Sequence, residues 1–418
     1  MTAARRAAAG GSRRPASAAR TPAGDQERRH WRTGLLMGAA TGLAAAYLGR
    51  RAGRIARAGL VDWPRAQGVA EGRLRRAPGA LDEATLAAAG PAYATAMDRL
   101  VPLLEARLGQ SLPGVVERHA VVSRAGWVAA NTATFRSLLG RLEQPFLDEI
   151  ERDGSPLAGF AALGNRFLAT QQVGLMLGFL GTRVLGQYDV ALLSAEAVPG
   201  RLLFVEENIR QAAAAMGAPL DEMRLWIALH ETTHAFEFEA HPWLRPYLAG
   251  RLERQLAAFL EEAQGLRTEG LKRALRRWRR PGADLLSAFM SPEQRRLLRE
   301  TQVAMSVLEG FSDWVMDEVG GAVLPDVATL RERFEGRRNA PRRGFDRFVA
   351  RLTGLDLKLE QYRRGERFVA GIHALGGEAA LAALWEGPEH LPSEAELADP
   401  AAWMRRVMPA AATLPGPG

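Results

Sequence analysis

The sequence predicts a predominantly helical α+β fold with one small β-sheet. Three strand-like runs are short, at His119–Arg124, Tyr188–Leu193 and Arg201–Asn208. Three much longer segments repeat apolar residues at the i, i+3, i+4 spacing of an amphipathic helix. Those segments are LDEATLAAAGPAYATAMDRLVPLLEARLG, RLERQLAAFLEEAQGLRTEGLKRALRRW and SPEQRRLLRETQVAMSVLEGFSDWVMDEV.

The composition is that of a soluble globular protein, with 47% apolar and 24% charged residues over 418 positions. That length is sufficient for one large domain or two ordinary ones. The chain contains no cysteine, which excludes disulfides, iron–sulfur clusters and thiolate zinc sites. Any bound metal must therefore be held by imidazole and carboxylate groups.

The net charge of +8 is concentrated near the N-terminus. Residues 1–60 contain twelve arginines against two acidic residues, Asp25 and Glu27, so the remaining chain is close to neutral. A domain that binds nucleic acid carries its basic residues on the binding face itself. We therefore expect no nucleic-acid binding by the main domain.

The N-terminal segment divides into two parts. Residues 1–32 are rich in Ala, Arg, Gly, Ser and Pro and predict a disordered tail. Residues 33–58 predict an Ala- and Gly-rich apolar helix, in which an uncharged run spans residues 33–49 between flanking arginines. This run is shorter than the roughly 20 apolar residues of a spanning helix.

Three interpretations of residues 33–49 stay open. The run is a helix packed on the domain, a membrane anchor or a secretory signal. The arginines that follow it argue against a secretory signal, because positive charge prefers the cytoplasmic side of a membrane. We expect a cytoplasmic protein, with membrane anchoring through this run as the alternative. The main domain is predicted at residues 59–395, and residues 396–418 are predicted to be a C-terminal tail.

A long helix is predicted between two prolines, Pro219 and Pro242. Acidic residues at Asp221 and Glu222 complement the positive end of a helix dipole, and no Gly or Pro interrupts the segment before Pro242. About five helical turns fit in this interval.

Within this helix the stretch LHETTH places two histidines four residues apart, His230 and His234. Both imidazoles then project from one face, where their nitrogens can reach one Zn²⁺ at about 2.0–2.1 Å. Glu231 lies beside the first histidine and can act on a metal-coordinated water without binding the metal. This His-Glu-x-x-His pattern is the zincin signature. The alternative is a pair of core histidines without metal.

The third ligand distinguishes the classes of zincin. A metzincin requires Gly at position 237 and His at position 240, where this chain has glutamate and alanine. A gluzincin takes a glutamate from a second helix in a Glu-x-x-x-Asp arrangement, which Glu309 and Asp313 match. In this interpretation Glu309 binds the metal between the two helices, and Asp313 accepts the outer N–H of His230. The alternative third ligands are His241 and Glu237.

Six blocks of the chain resemble, in the same order, those of a bacterial zincin-like metallopeptidase family labelled as associated with deazaflavin coenzyme biosynthesis. The blocks are RAGWVAANTATF, VLGQYDVALL, LLFVEENI, LHETTHAFEFEAHPWLRPYL, LEGFSDWVMD and GLDLKLEQYRRGERFV, which lie within the main domain. The resemblance implies a mostly helical zincin-like domain with one zinc ion. It implies His230, His234 and Glu309 as zinc ligands, Glu231 as catalytic base and Asp313 in the thermolysin-like position behind a ligand. The coenzyme label implies nothing about the chemistry of these residues.

These observations predict a gluzincin-like zinc metallopeptidase that hydrolyses a peptide or other amide bond of a peptide or protein substrate. Glu231 would act as general base toward the zinc-bound water. One or more of four residues is expected to contact the oxyanion or the substrate, namely Tyr188, His241, Tyr362 and His373. The segment RLLFVEEN is either an edge strand that pairs with an extended peptide or an ordinary core strand.

Two other functions are compatible with the sequence. One is a non-catalytic zinc-stabilised scaffold, with or without a membrane tether at residues 33–49. The other is a role with the deazaflavin coenzyme, for which the chain has no phosphate-binding loop. Exchange of Glu231 for glutamine distinguishes the two hypotheses, because only the enzyme would lose turnover while it retains the metal.

Overall fold

The structure is a computed structural model. It describes residues 47–49, 51, 54–55, 58–111, 114, 117–153, 156–189, 200–265, 291–338 and 358–409. The predicted tail at residues 1–32 and most of the apolar run at residues 33–49 lie outside the described residues. No described helix has both the length and the apolar character needed to cross a bilayer.

The chain divides into two compact units. The first unit comprises residues 1–58 and 148–165, of which the described part consists largely of helical residues. The second unit comprises residues 59–147 and 166–418 and contains the sheet and the two histidines of the helix motif.

The described helices with defined bounds confirm the predominantly helical prediction. They are α1 (Trp63–Leu74), α2 (Glu83–Leu108), α3 (Arg124–Asp153), α4 (Pro156–Gly181), α5 (Glu206–Met216), α6 (Leu220–Ala240), α7 (Leu244–Gly265), α8 (Pro292–Gly320), α9 (Val327–Arg338), α10 (Lys358–Leu384) and α11 (Pro400–Val407). Two 3₁₀ turns lie between the last two helices, at Pro388–His390 and Glu396–Ala398.

The β-sheet has three strands in the order β1–β3–β2, where β1 is His119–Val122, β2 is Gly186–Asp189 and β3 is Arg201–Val205. β1 runs parallel to β3, with His119 opposite Leu202, and β2 runs antiparallel to it, with Gly186 opposite Phe204. β3 is thus the central strand. The interpretation of RLLFVEEN as an edge strand is therefore wrong, and its alternative as a core strand is confirmed.

The central strand separates two hydrophobic clusters because its side chains alternate between the two faces of the sheet. Leu202 and Phe204 belong to the larger cluster, which also contains buried residues of α2, α5, α6, α8, α10 and α11. Leu203 and Val205 belong to the smaller cluster, together with buried residues of α1, α3 and α4. Burial on both faces explains why β3 reads as an uninterrupted apolar run.

Helix α6 begins and ends where the sequence predicts. Pro219 is its N-cap residue, Asp221 and Glu222 lie in the first turn, and the helix ends at Ala240 before Pro242. Most of its residues are buried, since α2, α5, α8 and the sheet all contact it. The helix is therefore a central element of the larger cluster and holds its side chains rigidly.

Helix α8 crosses α10 at two glycines, Gly310 and Gly365. A Cβ atom on Gly310 would collide with the backbone of Gly365 and Glu366, and one on Gly365 would collide with the carbonyl of Ser306. The two backbones are therefore in direct contact, as only glycine permits.

The N-terminus of helix α8 is fixed by Ser291, which forms a capping box with Gln294.

The predicted boundary of the C-terminal tail at residue 396 is corrected by the structure. Asp399 caps α11 by accepting a hydrogen bond from the amide of Ala402 at 3.1 Å. Trp403 is completely buried in the larger cluster, and its Nε1 donates to the carbonyl of His390 at 2.6 Å. The folded chain continues at least to residue 409, because this short helix anchors it.

Candidate metal centre

Helix α6 brings the two histidines of the motif together. Their Nε2 atoms are 3.3 Å apart, and the ring planes meet at 79°. Both side chains keep limited solvent access, at 17% for His230 and 14% for His234. The two nitrogens therefore face one point that solvent can reach.

Helix α8 contributes the third group. The Oε2 atom of Glu309 lies 3.7 Å from His230 Nε2 and 3.9 Å from His234 Nε2. One ligand atom from each of these three residues lies within 4.8 Å of the others, and among the described residues this is the set that could hold a metal ion. Glu309 is thus placed as the sequence predicts, and neither His241 nor Glu237 belongs to the set.

The donor set fits zinc. Ligands about 2.0–2.2 Å from a tetrahedral Zn²⁺ are roughly 3.3–3.6 Å from one another, close to the distances between these three atoms. Two imidazoles and one carboxylate are the ligands of catalytic zinc sites that leave a fourth position open. This chain has no thiolate to complete a closed structural site.

The outer nitrogens of both histidines contact other side chains. His234 Nδ1 lies 2.7 Å from Glu237 Oε2, and His230 Nδ1 lies 3.0 Å from Ser312 Oγ. Ser312 Oγ can also donate to the carbonyl of His230, at 3.4 Å. These contacts favour the proton on each Nδ1, which leaves each Nε2 lone pair directed at the metal position.

Ser312 and the orienting contact of Glu237 were missed by sequence reasoning. The sequence offers Glu237 as an alternative metal ligand, and its position three residues after His234 also places it beside that ring. Ser312 follows Glu309 by three residues and therefore shares its face of α8. Asp313 is half-buried one turn after Glu309, and its predicted contact with His230 stays a prediction.

The charges around the site favour a bound cation. Burial lowers the pKa of His234, but the neighbouring carboxylates of Glu237, Glu309 and Glu231 outweigh it and raise that pKa to about 10. Either a proton or a metal ion can provide the positive charge that these carboxylates favour. The electrostatic field is thus suited to a divalent cation.

Glu231 lies beside the ligands with its carboxyl group directed toward strand β2. Burial raises the pKa of Glu231 to about 7. The nearby His234 lowers this pKa, and the nearby Glu309 raises it further. The Oε2 atom of Glu231 accepts the backbone N–H of Tyr188 at 3.0 Å. A Cβ atom at Gly186 would lie 2.6 Å from the Glu231 Cγ, so glycine permits this close approach of strand and helix.

The four predicted oxyanion or substrate residues lie in different environments. The Tyr188 hydroxyl donates to Glu239 Oε1 at 2.7 Å, so its proton is already engaged. His241 and His373 line one cavity beside helix α6. The side chain of Tyr362 lies outside the described residues. The structure therefore groups two of the four.

Comparisons with known proteins agree with this geometry. A family model described as zincin-like metallopeptidase matches residues 61–404. The chain is also similar to a crystal structure from Chloroflexus aurantiacus, described as that of a proposed hydrolase with a novel fold. The TM-score is 0.60 at 35% sequence identity, and the match covers 83% of this chain and 98% of the other. No curated protein matches the chain.

Proposed function

Because the chain belongs to the zincin-like metallopeptidase family, we propose that it is a zinc-dependent peptidase acting on a peptide or protein substrate. His230, His234 and Glu309 bind one zinc ion, and Glu231 is the general base. The observation that carries this proposal is the convergence of three ligand atoms from two helices within 4.8 Å. The similarity to a proposed hydrolase supports the same reaction class.

The role of Glu231 follows from its position and its environment. A zinc ion at this site would supply a coordinated water of pKa about 7 and polarise a carbonyl group. Glu231 accepts a proton as the water oxygen bonds to the carbonyl carbon, and it delivers that proton to the nitrogen when the C–N bond breaks. Burial raises the pKa of this carboxyl group, which makes it a better proton acceptor than an exposed glutamate.

One backbone contact positions Glu231 for this task, and two further hydrogen bonds hold the residue that makes it. The Tyr188 N–H holds one carboxyl oxygen. Tyr188 itself is held by Glu239, which also accepts a hydrogen bond from Arg118 at 2.5 Å. The base is thus connected to the sheet by a chain of hydrogen bonds, and it need not reorganise during the reaction.

The test is Glu231→Gln in the zinc-loaded protein, assayed against a library of internally quenched peptides. We expect turnover to fall at least about 100-fold, the scale of a lost general base, while one zinc per chain is retained. The control is Glu222→Gln, a glutamate in the first turn of the same helix, which should leave turnover unchanged. Equal turnover in the Glu231 variant, or no turnover in the zinc-loaded wild type, would contradict the proposed peptidase.

A further inference from the structure

Helix α4 presents a row of apolar side chains to solvent. Phe167 is 47% exposed, Leu168 is 56% exposed and Leu175 is 39% exposed. Leu175 follows the other two by about two helical turns, so all three lie on one side of the helix. Single exposed apolar residues are common on protein surfaces. A row of them on one helix face is instead typical of a surface that docks on a partner.

The rest of α4 suits a helix that lies along an apolar phase. Its 26 residues contain one charged side chain, that of Arg166, which is paired with Asp62 at 3.5 Å. Val173 and Leu177 are buried in the smaller hydrophobic cluster, so one side of the helix is held on the protein. The apolar row on its exposed side is therefore on a fixed platform.

Helix α1 packs beside α4 and places positive charge next to the apolar row. A Cβ atom on Gly174 would lie 2.5 Å from the carbonyl oxygen of Ala66, so the two helices are in close contact. The guanidinium of Arg65 lies 5.3 Å from the centre of the Phe167 ring. Residues 62–76 and 166–183, named here the α1–α4 surface, contain six arginines against two acidic residues. This surface is therefore both apolar and cationic.

A basic cavity lies at the C-terminal ends of α1 and α4. Its volume is about 510 Å³, and Arg73, Arg76 and Arg183 contribute three guanidinium groups, with no carboxylate among the described residues that line it. Two of these groups lie over the ring of Phe179, with Arg183 at 3.8 Å and Arg73 at 5.7 Å from its centre. Phe179 follows Leu175 by one helical turn, so the cavity continues the apolar row. Guanidinium groups gathered in this way favour an anion such as a phosphate.

We propose that the α1–α4 surface docks on a lipid bilayer that contains anionic phospholipids. The apolar row enters the boundary between headgroups and acyl chains, and the basic cavity receives a lipid phosphate. A bilayer provides an apolar phase and negative charge together, whereas a second copy of this cationic surface would repel the first.

The chain that leads into α1 has matching chemistry. Residues 1–60 contain twelve arginines against two acidic residues, and they include the uncharged apolar run at residues 33–49. Basic residues next to an apolar segment are attracted to anionic lipid. Docking on a bilayer does not depend on the proposed peptidase reaction.

Sedimentation with sucrose-loaded vesicles tests the docking of the full-length protein. One set of vesicles contains phosphatidylcholine and phosphatidylglycerol in equal amounts, and the other contains phosphatidylcholine alone. We expect the protein to bind the anionic vesicles at least about tenfold more tightly, and this preference to weaken as the salt concentration rises. Equal binding to both sets, or binding to neither, would overturn the proposal.

Leu168→Gln tests the apolar row. It removes apolar area that would be buried in the bilayer, so binding to the anionic vesicles should weaken about fivefold. The matched control is Leu375→Gln on α10, because Leu375 is 58% exposed and lies outside the α1–α4 surface. Both leucines are more than half exposed, so both variants should fold, and the control should bind as the wild type does.

Arg76→Gln and Arg183→Gln test the basic cavity. Each should weaken binding to the anionic vesicles about fivefold, the usual contribution of one basic residue close to such a membrane. Arg296→Gln on α8 is the matched control, because its side chain is 75% exposed and does not line this cavity. This control should change the affinity by less than about twofold, since its charge lies outside the docked surface.

Three further results would overturn the proposal. Wild-type affinity in Leu168→Gln and in both arginine variants would mean that residues 1–60 alone bind the vesicles. Self-association of the wild type without lipid, lost in Leu168→Gln but not in Leu375→Gln, would assign the apolar row to a second copy of the chain. Release of the protein from the vesicles by inorganic phosphate at constant ionic strength would assign the cavity to a free anion.

Discussion

His230 and His234 depend on hydrogen bonds that hold their rings toward the metal position. Ser312 Oγ lies 3.0 Å from His230 Nδ1, and Glu237 Oε2 lies 2.7 Å from His234 Nδ1. Such partners fix the tautomer and raise the basicity of the ligand nitrogen. The two contacts come from different helices, so each histidine is oriented independently.

Ser312→Ala tests the orientation of His230. We expect zinc affinity to fall about 10- to 100-fold, the usual effect of removing such a partner, measured by competition with a chromophoric chelator. Ser306→Ala is the matched control, because its Oγ donates to the carbonyl of Gln302 within the same helix at 2.8 Å. Unchanged zinc affinity in Ser312→Ala would show that this hydroxyl does not orient the ligand.

At this scale the sequence predicted the three residues that could bind metal but not the contacts of Ser312 and Glu237 with the two histidine rings. The four-residue spacing of His230 and His234 is a property of any helix, so it could be read directly. The contact of Ser312 with His230 depends on how α6 and α8 pack against each other. Local spacing does not encode that packing, so nothing in the sequence distinguishes Ser312 from any other serine on a helix.

Among the elements, α8 and α10 cross with their backbones in direct contact at Gly310 and Gly365. Gly310→Ala would force the Cβ into the backbone of Gly365, which cannot move as a flexible side chain can. We expect the free energy of unfolding to fall by about 3 kcal/mol or more, the upper range of overpacking, as measured by urea titration. Because Glu309 precedes this glycine, zinc affinity should fall as well.

The control for this substitution is Gly68→Ala in α1, where an added Cβ meets no atom within 4 Å. Replacing a helical glycine by alanine removes backbone entropy from the unfolded chain, so stability should rise by about 0.5–1 kcal/mol. A similar gain in stability in Gly310→Ala would contradict the direct contact between the backbones of α8 and α10.

Helix α11 buries Trp403 and Met404 in the larger cluster, and Trp403 is the larger of the two side chains. Trp403→Ala should lower the free energy of unfolding by about 3–5 kcal/mol, as for other buried tryptophans, in a urea titration. Leu375→Ala is the comparison, since Leu375 is 58% exposed and its loss should cost about 0.5 kcal/mol or less. An equally small effect at Trp403 would mean that the segment after residue 395 is a tail after all.

Element prediction succeeded where the apolar repeat was long. α2 and α8 extend over 26 and 29 residues, so their periodicity predicts them, whereas the 21 residues of α6 are predicted by the lack of Gly and Pro between Pro219 and Pro242. α11 has only 8 residues and follows two 3₁₀ turns. One or two helical turns provide too few apolar positions to distinguish a short helix from a loop, so the sequence predicts a tail from residue 396.

For the molecule as a whole, two hydrophobic clusters on opposite faces of the sheet stabilise the second unit without any metal. Strand β3 connects them, with Leu202 and Phe204 on one face and Leu203 and Val205 on the other. A chain that folds on such a core should not require zinc to fold, in contrast to small zinc-stabilised domains.

Removal of zinc by chelation should therefore leave the far-ultraviolet circular dichroism unchanged at 25 °C and lower the melting temperature. Zinc at 1,000 times its Kd adds about 4 kcal/mol to the stability of the native state, because its ligands converge only in that state. The measurement is a thermal melt with and without chelator. Unfolding of the protein at 25 °C on chelation would instead indicate a structural zinc site and favour the scaffold.

The central claim is that His230, His234 and Glu309 together bind one zinc ion, and metal analysis by mass spectrometry after dialysis tests it most directly. The wild type should retain one zinc per chain, while His234→Ala and Glu309→Ala should retain far less in a folded protein. Full zinc content in either variant, or no zinc in the wild type, would contradict the claim.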